Sequence, residues 1–265
     1  MLPNLSDYHR PETPEAALDL LRQAGAAALA GGTSLLATPD DDVRSVVDLQ
    51  ALGWRAIQAQ PGRLRLGSLV TLTDLETSPV VMGAAGDLLR QAARHAGPNT
   101  HRNVATLGGL VAGRPAVSEL LAALLVLGAQ VELAGPSASV VPLEDYLSQA
   151  PGGLLCALLV PWPGAGSGAA EAIGRTPADA PIVHVAAWVG PGGARLAAGG
   201  VGRHVTRLAA VETALALAPG DQATAAAAAA VLEPPADFRG STEYRRAMIS
   251  VLVRRVLAAA AGLEA

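Results

Sequence analysis

Two short stretches of this sequence combine adjacent glycines with hydroxyl side chains: Ala30-Gly31-Gly32-Thr33-Ser34 and Thr106-Leu107-Gly108-Gly109. Each follows a short apolar segment. Without a Cβ, glycine reaches positive φ and lets a ligand approach the main chain closely. Successive amides in such a turn point inward and form an anion-binding nest. Thr33, Ser34 and Thr106 add hydroxyl donors. Two such turns facing each other would grip a pyrophosphate without a lysine, in a chain that has no Gly-Lys-Ser/Thr phosphate loop. A tight turn after a strand explains either stretch as well, so spacing alone goes no further than a candidate phosphate cradle. A third glycine-rich run, Gly164-Ala165-Gly166-Ser167-Gly168, follows Pro161 and Pro163 and precedes an apolar stretch too short for the crossover helix of a dinucleotide fold; it reads as a linker.

The remaining reactive side chains exclude more than they suggest. Cys156 is the only cysteine. One thiolate holds neither an iron–sulfur cluster nor a structural zinc, and it makes no internal disulfide. Its apolar run, Leu154-Leu155-Cys156-Ala157-Leu158-Leu159-Val160, marks a buried core thiol. The five histidines show no HxxxH or HxH pairing. His95 and His101 flank the second glycine stretch and His184 falls in a predicted strand; each reads as a packing or surface residue. No metal site and no catalytic acid or base is assigned. Redox chemistry in this chain would need an organic cofactor or a partner's metal.

The elements that must position these stretches follow from periodicity and caps. Thr13-Pro14-Glu15 opens a helix that Gly25 ends. Strands are expected at 26–30, 45–49, 63–67, 129–133 and 154–160. A short helix capped by Thr71 or Thr73 runs toward Thr77, and further helices cover 84–95 and 118–127. Beyond the 161–168 boundary, strands at 183–189 and 195–198 pair across Gly190-Pro191-Gly192-Gly193, and helices cover 207–217, 222–232 and 242–261. Alternating helix and strand gives way to strands followed by helices, hence α/β followed by α+β.

With 265 residues, 51% hydrophobic and 16% charged, the chain folds rather than staying disordered. A net charge of −4 and 3% aromatics disfavour a nucleic-acid groove. The most uniform apolar stretch, 223–231, is too short to span a bilayer. The N-terminus shows no basic or apolar signal region, so a cytoplasmic location is expected.

The glycine stretches are where the sequence resembles a known family. Ala30-Gly31-Gly32-Thr33-Ser34-Leu35-Leu36 and Arg102-Asn103-Val104-Ala105-Thr106-Leu107-Gly108-Gly109 resemble the two flavin loops of the FAD-binding (medium) subunit of molybdenum hydroxylases, the xanthine dehydrogenase and carbon monoxide dehydrogenase type. Tyr8-His9-Arg10-Pro11, Val47-Asp48-Leu49, Leu66-Gly67-Ser68-Leu69-Val70-Thr71 and Leu127-Gly128-Ala129-Gln130-Val131 are similar as well. So are Arg175-Thr176-Pro177-Ala178-Asp179-Ala180-Pro181, Gly199-Gly200-Val201, Val211-Glu212 and the run from Asp237 to Arg246. The likeness spans nearly the whole chain in order.

The resemblance implies an α+β chain. A two-subdomain α/β FAD-binding domain of the vanillyl-alcohol oxidase and p-cresol methylhydroxylase type would cover 1–163, with subdomains about 1–53 and 54–163. A C-terminal domain of a small antiparallel sheet plus helices would cover 169–265. Leu29, Ala30, Gly31, Gly32, Thr33, Ser34 and Leu35 would wrap the pyrophosphate, and Ala105, Thr106, Leu107, Gly108 and Gly109 would complete the cradle. Ser118 and Glu119 would be the polar pair that follows the second loop. Leu154 and Leu155 would pack near the adenine or flavin, and Asp179 lines up with an acidic residue near the flavin edge. The implied role is electron transfer: electrons come from a [2Fe–2S] small subunit beside a large molybdenum-cofactor subunit, and leave to NAD or another acceptor. The sequence departs from the family at Leu110, where a polar residue is usual, at Glu119 in place of Asp, at Gly113 and Arg114, and in the short acidic stretch around Asp40-Asp41-Asp42. Leu110 and Gly113 suit an alternative, a flavin-free scaffold or assembly subunit of the same fold.

Overall fold

A computed structural model describes residues 2–37, 40–135, 138–149, 151–162, 164–176 and 179–262. Three sheets organise it. The first is parallel, in the order β1-β3-β2, from β1 (Asp7–His9), β2 (Ala26–Leu29) and β3 (Ser45–Asp48), with helix α1 (Pro14–Leu21) between the first two. Thr13 caps α1 by accepting from the Ala16 amide, with Pro14 at the first helical position, as their order predicts. All four residues of β3 are buried, which is why Val46 and Val47 adjoin without alternation. At its end Asp48 accepts from the Gln50 amide and caps a single 3-10 turn, Leu49–Leu52.

The second sheet has the order β4-β5-β8-β6-β7, every pair antiparallel: β4 (Ile57–Gln60), β5 (Arg63–Gly67), β6 (Gln130–Ala134), β7 (Ser139–Pro142) and β8 (Leu154–Pro161). Alternation of helix and strand in the sequence therefore gives parallel pairing only in the first sheet. Between β5 and β6 lie α2 (Leu72–Thr77), α3 (Gly83–Arg94), α4 (Asn99–Arg102), α5 (Leu107–Gly113) and α6 (Glu119–Val126); α7 (Leu143–Gln149) follows β7. Seven of the eight β8 residues are buried, as the central position demands. Helix α6 is buried at every position from Leu120 to Val126, and each leucine there contributes roughly 1.5–3 kcal/mol.

The third sheet, order β12-β11-β10-β9, is antiparallel: β9 (Ser167–Ile173), β10 (Val183–Gly190), β11 (Gly193–Gly199) and β12 (Thr206–Arg207). The Pro191-Gly192 turn closes the expected hairpin, with Gly190 opposite Gly193. Helices α8 (Ala209–Leu217) and α10 (Thr242–Ala260) pack on it, and α9 (Gln222–Ala229) packs against those two; Ser241 caps α10. The run read as a linker instead enters β9 at Ser167. Its small residues serve packing: a Cβ on Gly168 would stand 2.9 Å from Leu88 and 3.0 Å from Trp188. Short strands β1, β4 and β7 carried too little apolar pattern to be seen. Among the described residues no helix is long and apolar enough to cross a membrane.

Candidate flavin site

The first glycine stretch leaves the C-terminal end of β2. Gly32 takes φ +72°, the left-handed conformation glycine favours. The turn is closed by the Leu36 amide donating to Gly32 O (3.0 Å) and the Ala37 amide to Ser34 O (3.3 Å). Among the described residues, none accepts a hydrogen bond from the amides of Gly31, Gly32, Thr33, Ser34 or Leu35. Five consecutive N–H groups in partly exposed backbone are thus left free to donate to a ligand.

The second stretch is built differently. Residues 105–107 run antiparallel to 70–72: the Leu72 amide donates to Ala105 O (3.0 Å) and the Leu107 amide to Val70 O (2.9 Å). Gly108 and Gly109 then sit in the first turn of α5, whose N-cap is Thr106. The Gly108 amide donates to Ser68 O (2.7 Å), and the Gly109 amide to Thr106 Oγ1 (3.2 Å). The expectation of a second open bend with inward amides is therefore corrected. Neither glycine has positive φ; Gly108 is needed because a Cβ would meet Ser68 Cβ at 2.7 Å and its carbonyl at 2.8 Å. What this stretch offers a ligand is a wall rather than a nest.

The two stretches do meet. A Cβ on Gly31 would lie 1.9 Å from Val104 O, so the first loop is pressed against the chain just before Ala105. Between them opens a cleft of about 220 Å³ lined by Ala30, Gly31, Gln50, Arg55, Leu69, Thr71, Asn103, Val104 and Thr106. Gln50 Nε2 donates to Ala30 O (3.0 Å) and ties the 3-10 turn to the loop. Thr71 and Asp74 form a reciprocal cap on α2, and Asp74 accepts from Arg55 Nε (2.9 Å) and Nη2 (3.2 Å). Arg55, with help from the Thr71 amide and hydroxyl, holds the Asp74 carboxyl below the usual range against a burial that pushes it up. Gln50 and Arg55 carry no motif and were missed; Thr71, Asn103 and Val104 lay inside matching segments without being singled out.

The other expected residues lie elsewhere. Ser118 caps α6 by accepting from the Leu121 amide (3.2 Å), and Glu119 stands 2.9 Å from His95 Nδ1. Leu154 shares a small core with Val47, Leu49 and Leu69, behind the cleft wall; Leu155 belongs to the main core. Asp179 donates its amide to Thr176 O; Pro177 and Ala178 fall outside the described residues. Leu110 packs half-buried against the main core, and Gly113 has open space around it. Neither lines the cleft, so neither departure touches its walls. Cys156 is buried as expected. Among the described residues no group of acidic, histidine or cysteine side chains is arranged to hold a metal.

A loop of unpaired amides beside a wall that includes Thr106 suits a ligand rich in hydrogen-bond acceptors, such as a diphosphate. Comparison with known proteins makes this specific. Residues 4–163 match the model of the FAD binding domain in molybdopterin dehydrogenase, and residues 171–260 match that of the CO dehydrogenase flavoprotein C-terminal domain. The carbon monoxide dehydrogenase medium chain of Afipia carboxidovorans is 31% identical over 97% of both chains. An uncharacterized protein of Escherichia coli is 33% identical over 94% of both. The structure of reconstituted CO dehydrogenase from Oligotropha carboxidovorans matches with a TM-score of 0.89, at 28% identity over 100% of both chains. The chain belongs to the family of FAD-binding subunits of molybdenum hydroxylases, as an oxidoreductase subunit whose cofactor is FAD.

Proposed function

We propose that this chain takes electrons from a [2Fe–2S] subunit, alongside a large molybdenum-cofactor subunit in the cytoplasm, and passes them to NAD or another acceptor. The observation that carries the reading is the run of five unpaired amides, Gly31 to Leu35, which begins at the cleft wall with Gly31. These amides would hold the FAD diphosphate. Thr106 and Ala105 would bound it from the other side, and Leu69, backed by Leu154, would keep the wall dry. The flavin supplies the redox chemistry, and the protein's part is to place it and exclude water. No proton donor of this chain is required. The carbon monoxide dehydrogenase relative is named as a medium chain, which implies companions of other sizes. The proposed division is a flavin-binding part over 1–163, split near residue 53, and a C-terminal part over 169–265.

Purified chain should show a flavin absorption spectrum, or acquire one on titration with FAD. Co-expressed with candidate [2Fe–2S] and molybdenum-cofactor subunits, it should co-purify with an iron–sulfur chain whose reduction bleaches the flavin. A chain that binds FAD but never meets such a partner would refute the electron-transfer role; one that never binds FAD would favour the scaffold.

A further inference from the structure

Arg55 is the only charged residue among those lining the cleft. Its backbone is fixed from both sides: the Leu69 amide donates to Trp54 O (2.9 Å) and the Gly67 amide to Ala56 O (2.9 Å). A glycine at 67 is required there, because a Cβ would stand 2.2 Å from Trp54 O. Its guanidinium grips Asp74 through Nε and Nη2, while among the described residues Nη1 has no partner. A guanidinium has five N–H groups, so two bonds to a carboxylate leave donors over for a second anion. The side chain is 60% exposed, which is a loose home for a purely structural ion pair.

The surrounding charge makes a cation there useful. The chain carries a net charge of −4, and Asp40, Asp41 and Asp42 follow the first loop in sequence. The amides and hydroxyls of the cleft are neutral. A diphosphate drawn into it meets repulsion from the net charge, and among the described residues lining the cleft Arg55 is the one that offsets it.

We propose that Arg55 is the cationic contact of the cofactor's diphosphate, aimed into the cleft by Asp74; this rests on the FAD reading above. Asp74 is a positioning residue in this arrangement. The test is titration of full-length chain, stripped of flavin, with FAD, ADP and riboflavin. R55Q should bind FAD and ADP roughly ten-fold more weakly, with riboflavin unchanged, since only the first two carry phosphate. R55K should fall between, keeping charge without the fork. Added salt should weaken FAD binding to the wild type more steeply than to R55Q. D74N keeps the cation but loosens its aim, so its FAD affinity should fall by less than that of R55Q, with riboflavin unchanged; D74N binding FAD like the wild type would remove the positioning role. R55Q binding FAD like the wild type, or D74N losing as much affinity as R55Q, overturns the proposal. Failure of the wild type itself to bind FAD would sink the FAD reading instead.

Discussion

Replacing Gly31 by alanine adds one methyl group where the main chain of the other segment already stands. The new Cβ would lie 1.9 Å from Val104 O and 2.8 Å from its carbonyl carbon, both backbone atoms, and Cβ contacts below 3.0 Å are essentially never seen. The two loops must therefore part by about 1 Å. Overpacking of this kind costs roughly 1–3 kcal/mol. In a protein of this size about 1 kcal/mol moves Tm by roughly 2–4 °C, so G31A should melt roughly 2–12 °C below the wild type. A displacement of that order would also spoil the hydrogen bonds proposed between the loop amides and the FAD diphosphate. Loss of two such bonds, at about 1 kcal/mol each, weakens FAD binding by roughly thirty-fold. The assays are thermal melting without ligand and fluorescence titration with FAD. G113A is the control, because a Cβ there has nothing within 4 Å and the backbone is helical; both readouts should stay near wild type. G31A with wild-type Tm and wild-type FAD affinity would show that the loops do not close on each other.

Other perturbations probe the interior. Burial pushes the Cys156 thiol up to about 11, with Glu132 adding to it, so the native protein should resist thiol reagents at pH 8 and react only on unfolding; rapid labelling without unfolding would contradict this. His184 is fully buried, with the Ser118 backbone as the polar group beside its ring. Desolvation drops its pKa to about 4, against an opposing pull from Ser118. Below the ordinary 6.5, unfolded chain binds a proton that folded chain refuses. Stability from this residue is thus complete above about pH 6.5 and drains as pH falls toward 4, by about 3 kcal/mol in all. Denaturant melts at pH 7 and 5 should show a larger loss for wild type than for H184Q; equal losses would rule it out. S118A removes the cap on α6 and should cost about 1 kcal/mol by denaturant unfolding, with FAD affinity unchanged; a fall in affinity would place Ser118 at the flavin after all.

Local signals made the helices around the site legible. Thr13-Pro14 opens its helix as expected, and of the two threonines offered for the next helix it is Thr71 that caps it. The first glycine stretch was readable because positive φ at Gly32 is a local demand. The second was misread because Gly108 answers a tertiary one: it lets α5 lie against Ser68, forty residues earlier, and a sequence shows the glycine but not what crowds it. Arg55 and Gln50 were invisible for the same reason. Their roles come from antiparallel pairing of 105–107 with 70–72 and from bonds reaching back across the cleft, neither of which leaves a spacing pattern. The strand at Ser167–Ile173 was hidden by its small residues, of which Gly168 leaves room for Trp188 and Leu88.

The glycine-rich run near residue 165 separates sheets, yet it does not separate interiors. Ala186, Trp188, Ala197 and Val205 of the C-terminal half share one core with Leu88, Leu121 and Leu124. Severing the peptide in that run would therefore cut one covalent bond and leave two fragments still clasped through α6. The N-terminal piece made alone would show water a helix of leucines, and would be driven to find another surface to bury it.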